Sequence, residues 1–363
     1  MKIAFFGSSL VSSYWNGAAT YYRGILKALA ALDQEITFYE PDAFDRQRHR
    51  DIPDPDWARV VVYPATEDGW RRALEGASQN ADLIAKASGV GVFDEALELA
   101  VAELAGSRLT TIYWDVDAPA TLESMTADPH HRLHRAIPQY DLVLTYGGGK
   151  PVVDRYREFG ARRCVPIYNA VDPQTHHPVP ARVKYACDLS FLGNRLPDRE
   201  ARVDEFFLQP ARMLPGRQFL LGGAGWEAKP VSANVAVAGH VGSAEHNAFF
   251  CSGLATLNIN RDSMARFGFS PATRIFEAAG AEACILTDAW NGIDNFLEPG
   301  KEILVARDGQ EVASLLEGLT PERARRIAVA ARRRVLDQHT YTQRAQQLMG
   351  VLNLTISSRE AAE

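Results

Sequence analysis

The chain has 363 residues, 46% hydrophobic and 23% charged, a composition typical of a globular protein with material for two domains of ordinary size. The formal net charge of −6 and the sequence pI near 5.9 give no global electrostatic reason to bind nucleic acid. No apolar run reaches membrane-spanning length, and the apolar start at Lys2 to Phe6 is too short for a signal peptide. We therefore expect a cytoplasmic protein without an integral membrane segment.

Cysteine and histidine spacing argues against disulfides and against a bound metal. The cysteines stand in apolar surroundings without C-x-x-C spacing, which favours reduced core thiols; they are Cys164, Cys187, Cys251 and Cys284. Three histidines lie close together at His130, His131 and His134. No carboxylate or cysteine completes a metal-ligand spacing with them, so we assign no metal site.

The chain begins with an apolar strand, Lys2 to Phe6, which ends in a tight Gly-Ser-Ser turn typical of the first strand of a doubly wound sheet. Ligands of such sheets bind beyond the carboxyl ends of the strands. The polar and aromatic loop that follows is therefore a candidate substrate rim, and its acceptor-side candidates are Ser8, Asn16, Gly17 and Tyr21. Packing in the core remains the alternative for Tyr21. The dinucleotide fingerprint G-x-G-x-x-G is absent, which disfavours a dehydrogenase.

Two carboxylates follow a later strand of the same sheet. Further strands are predicted at 36–40, 60–63, 81–86, 109–113 and 141–146, with a helix from about 93 to 104. The strand at 109–113 leads into Asp115 and Asp117, which alternate with Val116, so both side chains could face a cleft. A Mg²⁺ site, a general base and a helix-capping acid are all consistent with this position.

The pattern of strands and helices stops between about 170 and 183, where prolines accumulate, so we place a domain boundary there. The predicted division is residues 1–175, residues 176–345, and a helix end and tail at 346–363, disordered from Ser357 onward. The second part has strand patterns at 187–192, 219–223, 235–241, 255–261, 283–287 and near 303–305.

The stretch from Ser270 to Asp288 predicts a short helix followed by a buried parallel strand at 283–287. Ser270 can accept from free backbone N–H groups as an N-cap, Pro271 suits the first helical position, and Gly280 suits the end.

The polar face of this helix has the chemistry of a nucleotide-sugar site. Thr273, Arg274 and Glu277 are spaced by three or four residues and share one face. A helix start with free N–H groups, a hydroxyl and a guanidinium suits a phosphate, and a carboxylate one turn later suits sugar hydroxyls. The alternative is an ordinary α/β unit in which Arg274 and Glu277 form a surface ion pair.

Three sets of motifs resemble the GT-B glycosyltransferases. Asn169 to Pro173 looks like the Asn-Gly-Val-Asp hinge of that fold, and Leu192 to Leu196 resembles the Gly-Arg exit turn that holds donor phosphates. Thr273 to Ala281, with Leu286 to Asp288 and Phe296 to Glu302, is similar to the CgeB-like group, named for spore-maturation proteins. The resemblance spans most of the chain and is strongest from about 187 to 345.

The resemblance implies an α/β protein of GT-B architecture, with two Rossmann-like doubly wound domains facing across a cleft. It implies hexosyl or related glycosyl transfer from a UDP-, GDP- or dTDP-sugar bound mainly by the second domain, with the acceptor entering from the first. No tightly bound cofactor and no divalent metal are expected. Glu277 matches the glutamate that bonds donor ribose, and Arg195, followed by Arg199, matches the groups that neutralise the diphosphate. The expected donor-binding residues are Gly193, Arg195, Arg199, Arg261, Arg266, Ser270, Thr273, Arg274 and Glu277.

One departure from the family pattern leaves the stereochemistry open. Relatives with a Glu-x7-Glu motif carry a glutamate where this chain has Phe269. An inverting reaction would need a general base, for which Asp117 is the first candidate and Asp115 the second. A sugar-nucleotide epimerase or hydrolase and a non-catalytic nucleotide-sugar binding protein remain alternatives. The acceptor could be a protein, glycan, lipid or small metabolite, and the oligomeric state stays open.

Overall fold

The computed structural model describes residues 1–14, 16–106 and 108–360, with the side chains of 198 and 358–360 left aside. The chain divides into two compact units. The first unit comprises Met1–Tyr168 and the chain from Tyr341 onward, and the second unit comprises Asn169–Thr340. Within the described residues, no helix is both long enough and apolar enough to cross a membrane.

The first unit is built on a seven-stranded sheet in which every pair of neighbours is parallel, in the order β3-β2-β1-β4-β5-β6-β7. Its strands are β1 (Lys2–Phe6), β2 (Glu35–Asp42), β3 (Ala58–Pro64), β4 (Leu83–Ala87), β5 (Thr110–Asp115), β6 (Leu142–Thr145) and β7 (Cys164–Pro166). The helices that precede β7 in the chain are α1 (Ala19–Ala30), α2 (Glu67–Asn80), α3 (Asp94–Glu103), α4 (Ala118–Ala127), α5 (Leu133–Ala136) and α6 (Gly149–Glu158). The central strands β4 and β5 are buried along their whole length, as expected for a parallel sheet covered on both faces.

The second unit repeats this plan with six parallel strands in the order β10-β9-β8-β11-β12-β13. The strands are β8 (Cys187–Leu192), β9 (Phe219–Gly222), β10 (Val235–Gly239), β11 (Gly253–Asn258), β12 (Ile285–Asp288) and β13 (Leu304–Ala306). The helices are α7 (Pro197–Val203), α8 (Gln209–Met213), α9 (His246–Cys251), α10 (Asp262–Phe267), α11 (Thr273–Gly280), α12 (Gly309–Glu317) and α13 (Pro321–Gln338), with a π-helical turn at Asp204–Leu208. Rings of Phe191, Phe207, Phe219 and Trp226 pack edge-on or tilted in its core.

The strand orders place one switch point in each sheet. In the first unit the chain leaves β1 on one side to β2 and reaches β4 on the other, and in the second unit β8 has the same place between β9 and β11. Ligands of open parallel sheets bind beyond the carboxyl ends of the strands at such points. Ligands are therefore expected at the loops after β1 and β4 in the first unit and after β8 and β11 in the second.

The C-terminal helix α14 (Tyr341–Glu360) belongs to the first unit. We expected residues 341–345 to close the second domain and Ser357 onward to be disordered, but one helix continues through Glu360. It packs on α1 because Gly24 has no side chain: a Cβ there would lie 2.2 Å from the ring of Tyr341. Arg163 also donates hydrogen bonds of 3.0 and 3.2 Å to this helix. Positions 361–363 of the predicted tail lie outside the described residues.

Candidate active site

Helix α11 starts later than the sequence pattern predicts. Ser270 was expected to cap it, but its hydroxyl instead donates to the Gly268 carbonyl at 2.9 Å. The chain turns sharply here, with positive φ at Gly268 and Phe269, so Ser270 is turned away from the helix. Ala272, which has no capping side chain, occupies the N-cap position. The first-turn N–H groups therefore receive no hydrogen bond from a capping side chain, as an anion site at a helix start requires.

The hinge residue Asn169 holds the start of α11. Thr273 Oγ1 donates to Asn169 Oδ1 at 3.0 Å, and Asn169 Nδ2 donates to the Pro271 carbonyl at 3.3 Å. Asn169 is buried, so these bonds are protected from water. The Thr273 hydroxyl thus orients the helix start through Asn169.

Glu277 is buried and Arg274 is half-buried, so the two are not an exposed surface pair. Glu277 is only 5% exposed. Burial lowers the pKa of Arg274, and the charge of Glu277 opposes this effect. Arg274 Nε is buried and has no hydrogen-bond partner among the described residues. Because an unsatisfied buried donor is costly, this position calls for an acceptor such as a phosphate oxygen.

Two histidines that the sequence analysis missed lie beside Glu277. His176 Nε2 is 4.0 Å from Glu277 Oε1, and a nitrogen of His246 completes a group whose donor atoms all lie within 4.8 Å of one another. Burial lowers the pKa of His246, the neighbouring Arg274 and His176 lower it further, and Glu277 raises it. No sequence spacing links these residues, since they come from residues 169–180 after β7 (the hinge segment), from α9 and from α11.

The turn after β8 places Arg199 at the switch point of the second sheet. The Gly193 N–H donates to Gly222 O at 2.9 Å, and Trp226 Nε1 donates to Gly193 O at 2.6 Å. A Cβ on Gly193 would lie 2.7 Å from Arg199 Nη1 and 3.0 Å from the ring of Phe191. The absence of a side chain on Gly193 thus gives the Arg199 guanidinium its place beside this turn.

Arg195, the first candidate for the diphosphate, is already paired. Its Nε and Nη2 donate to the two oxygens of Glu200 at 2.9 and 2.7 Å, and Lys229 Nζ donates to the same carboxylate at 2.7 Å. The hydrogen bonds from Arg195 and Lys229 lower the pKa of Glu200 to about 2. A diphosphate contact by Arg195 would therefore compete with its ion pair to Glu200.

The remaining arginine candidates stand on α10, which follows β11. Arg266 is 62% exposed at its side chain and lies 3.1 Å from Asp262. Arg261 occupies the N-cap position of α10 and is half-buried.

Polar groups at the carboxyl ends of β11 and β12 lie at the same edge of the second sheet. Asp288 is buried. It accepts one hydrogen bond from Arg202 Nη2 at 2.7 Å and one from the Asn260 N–H at 3.1 Å. Burial raises the pKa of Asp288, and the charge of Arg202 opposes the shift. Asn260 Nδ2 is a second buried donor without a partner among the described residues.

In the first unit, Asp115 does not face open space as expected. It is buried, and its Oδ1 accepts from Ser88 Oγ at 2.7 Å and from the Asp117 N–H at 2.9 Å. Its Oδ2 accepts from the Tyr156 hydroxyl. Asp115 thus organises the loop between β5 and α4. Asp117 is half-buried at the N-cap position of α4 and makes no side-chain capping bond.

Three of the four acceptor-side candidates are buried and form hydrogen bonds within the first unit. Ser8 Oγ donates to Asn16 Oδ1 at 2.8 Å, and Asn16 Nδ2 donates to Ser9 O at 2.8 Å; Ser8 and Asn16 are both buried. The Tyr21 hydroxyl donates to a backbone carbonyl at 2.8 Å inside the core, so the packing alternative holds. Gly17 alone of these four is exposed, and a Cβ there would meet open space.

Comparison with known proteins bears on the second unit most directly. Residues 199–350 match a family described as glycosyl transferase-like, and this segment contains α11 with Arg274 and Glu277. A comparison with curated proteins gave no match.

The whole chain is similar in structure to solved glycosyltransferases at low sequence identity. A sucrose-phosphate synthase from Thermosynechococcus elongatus matches with a TM-score of 0.72 and 12% identity, covering 99% of this chain and 100% of that one. Anabaena Alr3699/HepE in complex with UDP and glucose matches with a TM-score of 0.69 and 15% identity, covering 97% and 99%. The T4 phage BGT in complex with UDP-glucose matches with a TM-score of 0.61 and 11% identity, covering 95% of this chain and 97% of that one. These likenesses confirm the predicted fold class, an α/β protein with the two Rossmann-like domains of GT-B glycosyltransferases.

Proposed function

We propose that this protein is a glycosyltransferase that moves a hexosyl or related sugar from a nucleotide-diphosphate-sugar to an acceptor. The observation that carries the proposal is the buried, unpartnered Nε of Arg274 beside the buried carboxylate of Glu277, at the first turn of a helix without a capping side chain. Two of the similar structures were solved with UDP-glucose or with UDP and glucose, so UDP-sugars are the first donors to test. The motifs at 273–281 and 296–302 support assigning the protein, within this proposal, to the CgeB-like group.

The donor diphosphate is assigned to the amino end of α11, where the helix dipole and the N–H groups favour an anion. Arg274 supplies the nearest charge, and Arg199 supplies a second at the turn after β8. As the bond between the sugar and the diphosphate breaks, negative charge grows on the leaving group, and fixed guanidinium groups stabilise it. Glu277 accepts hydrogen bonds from the ribose hydroxyls.

Other candidate donor residues act through neighbours in this proposal. Gly193 makes room for Arg199, Thr273 fixes the helix start through Asn169, and Ser270 stabilises the turn through Gly268. Arg195 anchors Glu200, while Arg261 and Arg266 supply positive charge on α10. For an inverting reaction, Asp117 is the base, and Asp115 orients its backbone. Substrate binding on the acceptor side is assigned to the loop around Gly17.

The test is nucleotide release from a panel of UDP-, GDP- and dTDP-sugars, with and without candidate acceptors. Glu277→Gln removes charge-assisted hydrogen bonds worth about 1.5–3 kcal/mol, so kcat/KM for the active donor should fall about tenfold or more. Glu317→Gln, an exposed glutamate of the second unit, is the matched control and should be unchanged. A donor that is isomerised, or no consumption of any donor, would contradict glycosyl transfer.

A further inference from the structure

We propose that His176, His246 and Glu277 form a binding site for a divalent transition metal of the zinc class. Two imidazoles and one carboxylate are a common zinc donor set, and the donor atoms of these three side chains lie within 4.8 Å of one another. Zn–N and Zn–O bonds of about 2.0–2.2 Å require only a small inward movement of side chains from this spacing. The site was not expected from the sequence, which places its ligands on three separate elements.

His176 has one ring nitrogen near a hydroxyl and the other near Glu277. The Thr175 hydroxyl oxygen lies 3.0 Å from His176 Nδ1, within hydrogen-bond distance. His176 Nε2 is 4.0 Å from Glu277 Oε1. In the neutral imidazole that carries its proton on Nδ1, Nε2 and the carboxylate oxygen can both coordinate one cation placed between them.

His246 has the matching arrangement. One of its ring nitrogens forms a hydrogen bond with the backbone of Val241 that favours the proton on that nitrogen. Ligating histidines in metal sites have this feature, because a backbone acceptor on one ring nitrogen fixes the tautomer that directs the other nitrogen at the metal. Each of the two histidines therefore has a hydrogen-bond partner at one ring nitrogen, Thr175 for His176 and the backbone of Val241 for His246.

Backbone packing holds the three ligands together. Gly280, at the end of α11, lacks a side chain where a Cβ would lie 2.9 Å from the His176 carbonyl oxygen, so the hinge segment can lie against the helix that carries Glu277. Asn247 Nδ2 donates to the Thr175 carbonyl at 2.9 Å, which ties the same segment to the residue next to His246. The ligand elements are thus fixed before any metal binds.

A metal here would act as an inhibitor of donor binding, a consequence that rests on the proposed function of Glu277. Zinc on the Glu277 carboxylate would neutralise its charge and occupy lone pairs that the ribose hydroxyls use, so zinc should weaken donor binding. Arg274 also faces this group and its charge disfavours a second cation. Arg274→Met is therefore expected to tighten zinc binding and to weaken diphosphate binding, two opposite effects of one substitution.

The test titrates the chelator-treated full-length protein with ZnCl₂ in a calorimeter, without nucleotide. We expect one equivalent of zinc for the wild type, loss of that binding in His246→Gln and in His176→Gln, and no effect in His177→Gln, which removes a neighbouring exposed histidine. Thr175→Val, which keeps all three ligands, should weaken zinc binding about 10–100-fold as an outer-partner change. Thermal melts of each variant, and the visible spectrum of Co²⁺ in place of zinc, separate ligand loss from unfolding.

Equal zinc affinity in the wild type and in folded His246→Gln would overturn the site, as would binding of Mg²⁺ with the same affinity as zinc. UDP and UDP-glucose binding is measured separately in the zinc-free protein. If no nucleotide binds there, the proposed function fails while the zinc result stands. If nucleotide binds and zinc does not weaken it, the competition is refuted.

Discussion

Replacing Asp115 by asparagine tests whether this carboxylate organises the loop before α4 or takes part in the chemistry. Asparagine has the same shape, and its amide oxygen can still accept from Ser88 Oγ and from the Asp117 N–H, which both bond Oδ1 in the wild type. The amide nitrogen then replaces Oδ2, the acceptor of the Tyr156 hydroxyl. One buried hydrogen bond to a charged group is therefore lost.

A hydrogen bond to a charged group contributes about 1.5–3 kcal/mol. For a unit of this size each kcal/mol changes the melting temperature by about 2–4 °C, so Asp115→Asn should lower it by roughly 3–12 °C. Tyr156→Phe removes the other partner and should have a similar effect. Because both variants lose the same bond, the double variant should be less destabilised than the sum of the two.

Thermal melts and turnover are measured side by side for Asp115→Asn and Asp117→Asn. We expect Asp115→Asn to affect mainly the melting temperature, and Asp117→Asn to leave the melting temperature nearly unchanged while reducing turnover of an inverting reaction by about 10²–10⁴-fold. An Asp115→Asn variant that melts like the wild type but has lost turnover would refute the structural role of Asp115. Full activity of Asp117→Asn would remove it as the base.

Two further predictions concern charged groups of the two units. Arg199→Met should weaken binding of the active nucleotide about tenfold or more, and Arg195→Met by less, since Glu200 already binds Arg195; calorimetry that gives the reverse order would contradict the assignment. Burial raises the pKa of Asp51, but the hydrogen bonds and charge of Arg23 outweigh this and hold it at about 2. The pKa of Asp51 is thus lower in the folded than in the unfolded state. The free energy of unfolding of the wild type should therefore exceed that of Asp51→Asn by about 1 kcal/mol after solvent screening at pH values above 5, and this difference should vanish as the pH falls toward 2. Urea titrations across this range that show a constant difference would disprove it.

The sheets could be predicted because buried parallel strands leave a local signal. All strands of the second unit and six of the seven in the first appear as short apolar runs bounded by turn residues. The strand β7 (Cys164–Pro166) has three residues and merges with the hinge segment, so it gave no separate pattern. The helix that carries Glu277 could be predicted because this helix and the following strand are contiguous in sequence.

Features that depend on contacts distant in sequence could not be predicted. The position of α14 on α1 depends on Gly24 and Tyr341, which no local pattern connects. Arg195 was chosen for its place after β8, but its pairing with Glu200 is a matter of side-chain geometry. Ser270 has the sequence of an N-cap, and only the positive φ angles before it turn its hydroxyl away from the helix.

The most direct test of the account is a thermal-shift panel of nucleoside diphosphates and their sugars on zinc-free wild type and Glu277→Gln. A ligand that binds only the native state raises the melting temperature. We predict that one nucleotide family stabilises the wild type and that Glu277→Gln, compared with its own ligand-free melting temperature, loses most of this shift. No response to any nucleotide, or equal responses from the two proteins, would contradict the donor site on α11.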